Sequence, residues 1–388
     1  MIPLHEPVFI GNEKKYLNEC ISSGYVSSVG KFVSRFEKRV SKYLKVKYAN
    51  ALNSGTSSLH LALKLVGVDE GDEVIVPSIT FIAPVNAIKY LNAKPIFLDS
   101  DEFYTINKDS ILNFIKNNTK TVKKNKKIYT YNIKTNKIIK ALIIVHCFGN
   151  VAEIIEIKKI LKNKNIKIIE DAAESFGSYI KIKSKKIFAG TIGDIGCLSF
   201  NGNKIITSGG GGMILTNNKK IFDKSIYLAT QSKNDSLRYI HNQVGFNYKM
   251  NNIQAAVGLA QLENINKFIL KKTNINLFYK NYINNKKFNF YINENPNPDY
   301  FFSINWLNIL RFDNKKIKPQ IIIDNLKKHN IESRHVWLPN HLQKPYINNQ
   351  KFKIKNANRL VSSSVCLPSS YSLNKSKIMK IANILNKL

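Results

Sequence analysis

The sequence predicts an α/β fold: a large domain on a mostly parallel, seven-stranded sheet, plus a smaller C-terminal α+β domain. Apolar runs of five or six residues alternate with helical patterns from Tyr48 to Thr216, the rhythm of βαβ units. The chemically distinctive tracts fall where those runs end, and in open parallel sheets ligands gather at the carboxyl ends of strands. Beyond residue 258 the rhythm gives way to longer helical patterns and isolated strand-like pieces, so the large domain is placed at 1–258 and the small one at 259–388.

The strand candidates are Tyr48–Asn53, Glu73–Pro77, Lys94–Leu98, Ala141–His146, Ile166–Glu170, Ile195–Phe200 and Gly212–Thr216. Between them, Phe32–Leu44 puts Phe32, Phe36, Val40 and Leu44 on one helical face. Ser57–Val66 and Ile79–Leu91 are the next helical patterns. Lys116–Lys140 interrupts the rhythm with lysine and asparagine and reads as a surface excursion, with a hairpin around Ile128–Ile139. Gly245–Gln261 restarts a helical pattern. Further on, Ile253–Tyr282, Pro319–His329 and Lys375–Leu388 read as helices, and Ser303–Arg311 and Ile331–Arg334 as strands.

A chain of 388 residues can bury a large core. No window of about 18 residues is apolar throughout, so no membrane span is expected. The start, Met1 to Pro7, lacks the basic head and apolar core of a signal peptide. Cys20, Cys147, Cys197 and Cys366 lie far apart without metal spacing and read as buried thiols of a cytoplasmic protein. The net charge of +34 suggests a polyanion partner, yet only six of the 60 basic residues are arginine and the lysines are spread among asparagine and isoleucine. That is a charged surface and not a nucleic-acid groove, which would concentrate arginine and aromatics.

Lys204 stands apart from the other lysines because it follows the apolar, strand-like stretch Ile195–Phe200 and enters a glycine-rich turn, with the run Gly209–Gly212 just beyond. A lysine held in such a crevice can lose its proton and attack a carbonyl. Asn53-Ser54-Gly55-Thr56-Ser57-Ser58 joins a strand to a helix. Gly55 permits the turn, Thr56 and Ser57 supply hydroxyls, and the helix start attracts an anion such as phosphate. An ordinary helix cap fits the same tract. Glu170-Asp171-Ala172-Ala173-Glu174 ends another strand, where a carboxylate can hold the proton of a ring nitrogen and the alanines leave room for a flat ring. Phe81, after Pro77-Ser78-Ile79-Thr80, can stack on that ring or pack in the core. A phosphate cradle, a flat slot, an acid and an amine are the four demands of pyridoxal phosphate.

At these motifs the chain resembles the DegT/DnrJ/EryC1/StrS sugar aminotransferases, which have the fold-type I aspartate-aminotransferase architecture. The resemblance runs from Ser23-Gly24-Tyr25-Val26-Ser27 to Cys366-Leu367-Pro368 and includes Val145-His146-Cys147-Phe148-Gly149 and Gly245-Phe246-Asn247-Tyr248. It implies that Lys204 bonds the aldehyde of pyridoxal 5'-phosphate and then, as a free amine, moves the substrate's proton. It implies that Asp171 pairs with the ring nitrogen, Glu174 lies near the ring hydroxyl, and Phe81 covers the ring. Gly55, Thr56, Ser57 and Ser199 would hold the phosphate, with Asn247 reaching it from the neighbouring subunit of a homodimer.

The implied reaction takes an amino group from L-glutamate, stores it as pyridoxamine phosphate and passes it to a nucleotide-linked keto sugar for surface polysaccharide. Asn201-Gly202-Asn203, where the family commonly has histidine and proline, resembles a subgroup acting at C4 of UDP-4-keto-6-deoxy-N-acetyl sugars on the way to legionaminic acid. TDP- or GDP-linked keto sugars, or a non-catalytic regulator of the same fold, are the alternatives. Tyr25, Arg238, Arg334 and His341 are the candidates for substrate contact, because arginine grips carboxylates and diphosphates in a fork.

Overall fold

A computed structural model describes residues 1–285, 288–293, 297–312 and 317–388. Eight strands form its main sheet: β1 (Tyr48–Leu52), β2 (Glu73–Pro77), β3 (Lys94–Leu98), β4 (Ile139–Val145), β5 (Lys167–Asp171), β6 (Ile195–Ser199), β7 (Gly212–Thr216) and β8 (Gln350–Phe352). Their order across the sheet is β1-β7-β6-β5-β4-β2-β3-β8. Strands β6, β5, β4, β2, β3 and β8 run parallel, while β7 is antiparallel to both β1 and β6. Val74, Ile75 and Val76 are fully buried, as expected of a strand covered on both faces, where an unbroken apolar run replaces alternation.

The register decides where chemistry can occur. Asp171 lies opposite Val145 on one side and Cys197 on the other, and Ser199 pairs with Gly212. The carboxyl ends of β4, β5 and β6 therefore open at one edge, beside the first residue of β7. Helix α1 (Glu13–Ser23) and helix α2 (Lys31–Leu44) pack against the helix Asn252–Glu263. Helix α3 (Gly55–Leu65) follows β1 and lies against β6 and β7, which brings its first turn to the same edge.

The described residues contain two apolar clusters. The larger surrounds the main sheet. The smaller includes Tyr279, Leu310, Phe312, Ile322, Val365 and Ile381 from the C-terminal part, together with Ile2. The N-terminal segment crosses between them. Ile2 bonds to Asn330 and Glu332 at 2.8 and 2.9 Å, and the Leu4 amide reaches Glu332 Oε2 at 2.9 Å. The Leu4 carbonyl accepts from the Ser369 amide at 2.7 Å. None of the helices among the described residues is long and apolar enough to cross a membrane.

Several boundaries depart from the expectation. The sheet gains β8, too short at three residues to register as an apolar run. The hairpin comprises Thr119–Lys124 and Lys127–Asn132 and turns at Asn125 and Lys126, both in left-handed backbone (φ 49° and 61°) as a two-residue hairpin turn requires. Ile253–Tyr282 is two helices, Asn252–Glu263 and Ile265–Tyr282, because Asn264 (ψ 9°) leaves helical geometry. The division expected at 258/259 falls inside the first of these, whose Leu259, Ala260 and Leu262 pack in the large cluster.

Gly196 in β6 gives a sharp test of the packing at this edge. A Cβ there would lie 1.9 Å from the Gly190 carbonyl oxygen, so backbone must move, whereas one on Gly202 meets nothing within 4 Å. Gly196→Ala should cost about 3 kcal/mol and lower the melting temperature, while Gly202→Ala should leave it within about 1 °C.

Candidate active site

The site starts with the cap of α3. Ser54 Oγ accepts the Ser57 amide at 3.0 Å, and Ser57 Oγ donates to Asn53 Oδ1 at 2.7 Å. The first-turn amides of Gly55 and Thr56 have no partner within the helix, and both residues line a cavity of about 390 Å³ at the sheet edge. Gly55 is pressed against β6: a Cβ there would come within 2.8 Å of Ser199 Cβ. The absence of that atom lets the Ser199 hydroxyl approach the helix start.

Lys204 reaches the same cavity from the turn after β6, where its amide bonds the Asn201 carbonyl at 3.0 Å. Its Nζ is 3.3 Å from Glu174 Oε1 and 4.2 Å from the centre of the Trp306 ring. Trp306 is fixed in turn, with Nε1 donating to the Asn203 carbonyl at 2.7 Å and its own carbonyl accepting from Nζ of the buried Lys272 at 2.8 Å. Glu174 Oε2 accepts the Phe148 amide at 2.8 Å, an amide aimed by left-handed backbone at Phe148 (φ 56°). Burial is the main cause that raises the Glu174 pKa to about 6, against the opposing pull of Lys204 and the Phe148 amide.

Asp171 closes β5 on the cavity floor, with Oδ1 accepting the Ala173 amide at 3.0 Å. Burial raises its pKa too, opposed by the Ala173 amide, Lys204 and His146. Glu170, one residue earlier, faces away from the cavity. Its carboxylate accepts from the amides of Gly190, Ile192 and Gly193 at 2.6–2.8 Å and contacts His146 Nε2 at 2.9 Å. It thereby ties the loop before β6 to β5, which holds Asp171 in register with Cys197.

The structure therefore gathers Gly55, Thr56, Phe81, Asp171, Glu174, Ser199, Lys204 and Arg334 around one cavity, with Gly210 and Gly211 of the glycine run. Phe81 is 55% exposed and meets Trp337 edge-on at 6.1 Å. Other residues named from the sequence lie elsewhere. Ser57 is spent on the helix cap. Tyr25 lines a separate cavity with Val29, Lys31 and Asn252. Arg238 sits on an exposed segment 3.9 Å from Asp235. His341 is buried behind β2, where its Nδ1 meets Ser78 Oγ at 2.6 Å, so the cavity is out of its reach. Asn247 touches this chain's own Asn53 through its carbonyl, at 3.1 Å. Trp306 and the orphaned, buried hydroxyl of Thr80 were missed as site residues. Thr80 sits in a quoted motif, but Trp306 arrives from about 100 residues beyond Lys204 with no local signal.

Comparison with known proteins agrees with this geometry. Residues 9–386 match the DegT/DnrJ/EryC1/StrS aminotransferase family. The chain is 37% identical over 388 residues to a GDP-perosamine synthase of Escherichia coli O157:H7, covering 100% of this chain and 98% of that one. It is 32% identical over 252 residues to a UDP-4-amino-4,6-dideoxy-N-acetyl-beta-L-altrosamine transaminase of Campylobacter jejuni, covering 64% of this chain and 61% of that one. Among solved structures, a DegT DnrJ EryC1 StrS aminotransferase from Brucella abortus superposes with a TM-score of 0.85 at 25% identity, covering 97% and 95% of the two chains. Fold and family together define a pyridoxal-phosphate-dependent aminotransferase of fold-type I. The chain belongs to the DegT/DnrJ/EryC1/StrS family, whose named members here are sugar aminotransferases of nucleotide-sugar pathways.

Glu174 makes the cofactor-free protein pH-sensitive. An acid with a folded-state pKa above its unfolded value binds more protons when folded. Its contribution therefore favours folding below pH 4.5 and is lost as the pH rises from 4.5 to about 6. The loss is about 2 kcal/mol. Glu174→Gln should remove this part of the slope, so the variant should gain stability relative to the parent between pH 4.5 and 6.5 in parallel denaturation series.

Proposed function

We propose that the enzyme transfers an amino group from L-glutamate to the keto carbon of a nucleotide-linked deoxy sugar, and that Lys204 is the amine that carries the proton. The observation that supports this most is the position of Lys204 Nζ, between the Glu174 carboxylate at 3.3 Å and the Trp306 face at 4.2 Å, in a cavity that also holds Asp171 and the start of α3.

The residues present fit pyridoxal phosphate. The helix start, Thr56 and Ser199 form a donor set for a phosphate, and the close approach of Ser199 to Gly55 makes it compact. Asp171 and Glu174 are two buried carboxylates whose charge is disfavoured by burial, and a protonated ring nitrogen would stabilise the first. When bound, the group supplies an aldehyde for the amine and a ring that takes up electrons from the substrate's carbon–hydrogen bond.

In this proposal the chain's own residues take the following parts. Gly55 and Thr56 amides with the Thr56 and Ser199 hydroxyls hold phosphate oxygens. Asp171 keeps a proton on the ring nitrogen, and Phe81 with Trp337 covers the open face. Lys204, when not bonded to the aldehyde, takes a proton onto Nζ from one carbon and returns it to another. Trp306 and Glu174 limit its swing. Arg334, held by Glu332 Oε1 at 2.6 Å, stands at the cavity wall and suits a substrate carboxylate or diphosphate.

For the sugar, the GDP-linked reading gains support from the relative that spans the whole chain and carries a GDP-sugar name. The UDP-4-keto-6-deoxy-N-acetylhexosamine reading, resting on Asn201-Gly202-Asn203, comes second; its named relative covers 64% of the chain. A homodimer is part of the proposal. Tyr25 (61%), Val29 (80%), Leu237 (90%) and Val244 (86%) are exposed apolar side chains suited to a partner copy, from which Asn247 of the partner subunit would reach the phosphate.

Amino transfer from L-glutamate should be assayed against GDP-, UDP- and TDP-linked 4-keto-6-deoxy sugars. The GDP-linked substrate should give the highest kcat/KM. A preference of tenfold or more for a UDP-linked N-acetyl sugar would reverse the order. Lys204→Ala should lower kcat by at least about 100-fold while leaving the melting profile close to the parent.

A further inference from the structure

Lys204 also lines a second and much smaller space of about 20 Å³. Its walls include His5, Lys204, Gln261, Lys272 and Tyr371. His5 comes from the N-terminal segment, which is tied down on both sides of it. The Leu4 carbonyl accepts from Ser369 at 2.7 Å, and the Glu6 amide donates to Ser370 Oγ at 3.1 Å. The imidazole packs at 6.2 Å from the Trp306 ring, the same ring that lies under Lys204 Nζ. Both ring nitrogens are out of contact with solvent, and among the described residues neither has a hydrogen-bond partner. An imidazole always carries at least one donor or acceptor that needs a partner, and leaving it unmet costs about 1–3 kcal/mol. A space of this volume admits one water.

The lysine has a matching need. As an ammonium, Lys204 Nζ has three hydrogens to place, and the main cavity offers Glu174 Oε1 and the Trp306 face. Lys272, the next cation, is already committed to the carbonyls of Trp306 and Ser369 at 2.8 and 2.5 Å. The charged and titratable groups around the small space are therefore Glu6, Lys204, Lys271, Lys272 and Tyr371, with Glu174 beyond Lys204.

We infer that His5 is a positioning residue for Lys204: one water in this space accepts a hydrogen bond from the lysine's ammonium and donates one to the neutral ring of His5, which fixes the protonated side chain in place. The ring stays neutral because burial, and then the positive charges of Lys272 and Lys204, pull its pKa well below the ordinary value. An accepting nitrogen is then always available. The inference rests on Lys204 being the proton-carrying amine proposed above.

The test uses the full-length chain loaded with pyridoxamine phosphate, in which Lys204 is a free amine. Trace acylation with acetic anhydride across pH, read by peptide mass spectrometry, gives the apparent pKa of Lys204 without reference to turnover. His5→Phe removes both nitrogens and the polar space, which disfavours the ammonium, so the Lys204 pKa should fall by about one unit, a tenfold change in its protonation equilibrium. His5→Gln, which keeps a donor and an acceptor, should restore at least half of the shift. With the sugar substrate, His5→Phe should lower kcat about tenfold and change KM less than twofold. An unchanged Lys204 titration in His5→Phe, or an equal shift in both variants, would overturn the inference. Should His5→Phe fail to fold, a His5→Gln protein whose Lys204 titration stays within about half a unit of the parent's upholds the inference, and a larger displacement overturns it. The two readings fail separately: a Lys204→Ala enzyme that still works would sink the proposed function and leave the titration result standing.

Discussion

Two carboxylates, Asp171 and Glu174, are buried three residues apart beside a single lysine, and much of the local structure serves to make that arrangement tolerable. Burial disfavours both charges, so each oxygen needs a donor in a fixed place. Ala173 supplies one amide and Phe148 another, the latter through a backbone turn that a non-glycine residue rarely adopts. Glu170 pays no part of the chemistry, yet its bonds to three loop amides and to His146 set the strand end from which Asp171 projects. The same constraint accounts for Trp306, whose face gives the lysine a second neighbour and whose indole nitrogen is spent on the lysine's own turn.

The sheet explains why these groups meet. Parallel strands β4, β5 and β6 end together, and β7 and α3 arrive at the same edge because β7 runs backwards between β6 and β1. Glycine is needed at the tightest contacts. Gly55 admits Ser199, and Gly212 passes beside Ser54, where a Cβ would lie 2.2 Å from its carbonyl oxygen. The start of α3 and the Lys204 side chain are thus brought to one cavity by the topology of the sheet.

What could be read from the sequence followed physical scale. Glu73–Pro77, Lys94–Leu98 and Gly212–Thr216 were legible to the residue, because strands buried on both faces are unbroken apolar runs bounded by charge, proline or glycine. That Lys204, Asp171 and Gly55 meet at one cavity was legible because their tracts lie just past such runs. Trp306 and His5 were not. Each is one residue in a segment whose local pattern says only core or terminus, and each is placed by contacts with the C-terminal part of the chain, Trp306 at the cavity and His5 at the smaller space beside it. Tyr25, Arg238 and His341 were misplaced relative to the cavity for the converse reason: residue type suggested a ligand contact, while position was set by partners such as Asn252, Asp235 and Ser78 that spacing cannot reveal. Asn264 split one long apolar pattern into two helices with no glycine or proline to announce it.

The central claim is that Lys204, alone among the many lysines of this surface, is the amine bonded to the cofactor. Borohydride reduction of the pyridoxal-phosphate-loaded protein, followed by digestion and peptide mass spectrometry, tests it most directly. The account predicts one stoichiometric pyridoxyl adduct, on the peptide containing Lys204, and loss of the enzyme's visible absorption band. A stoichiometric adduct on any other lysine, or a protein that takes up no cofactor at millimolar pyridoxal phosphate, would contradict it.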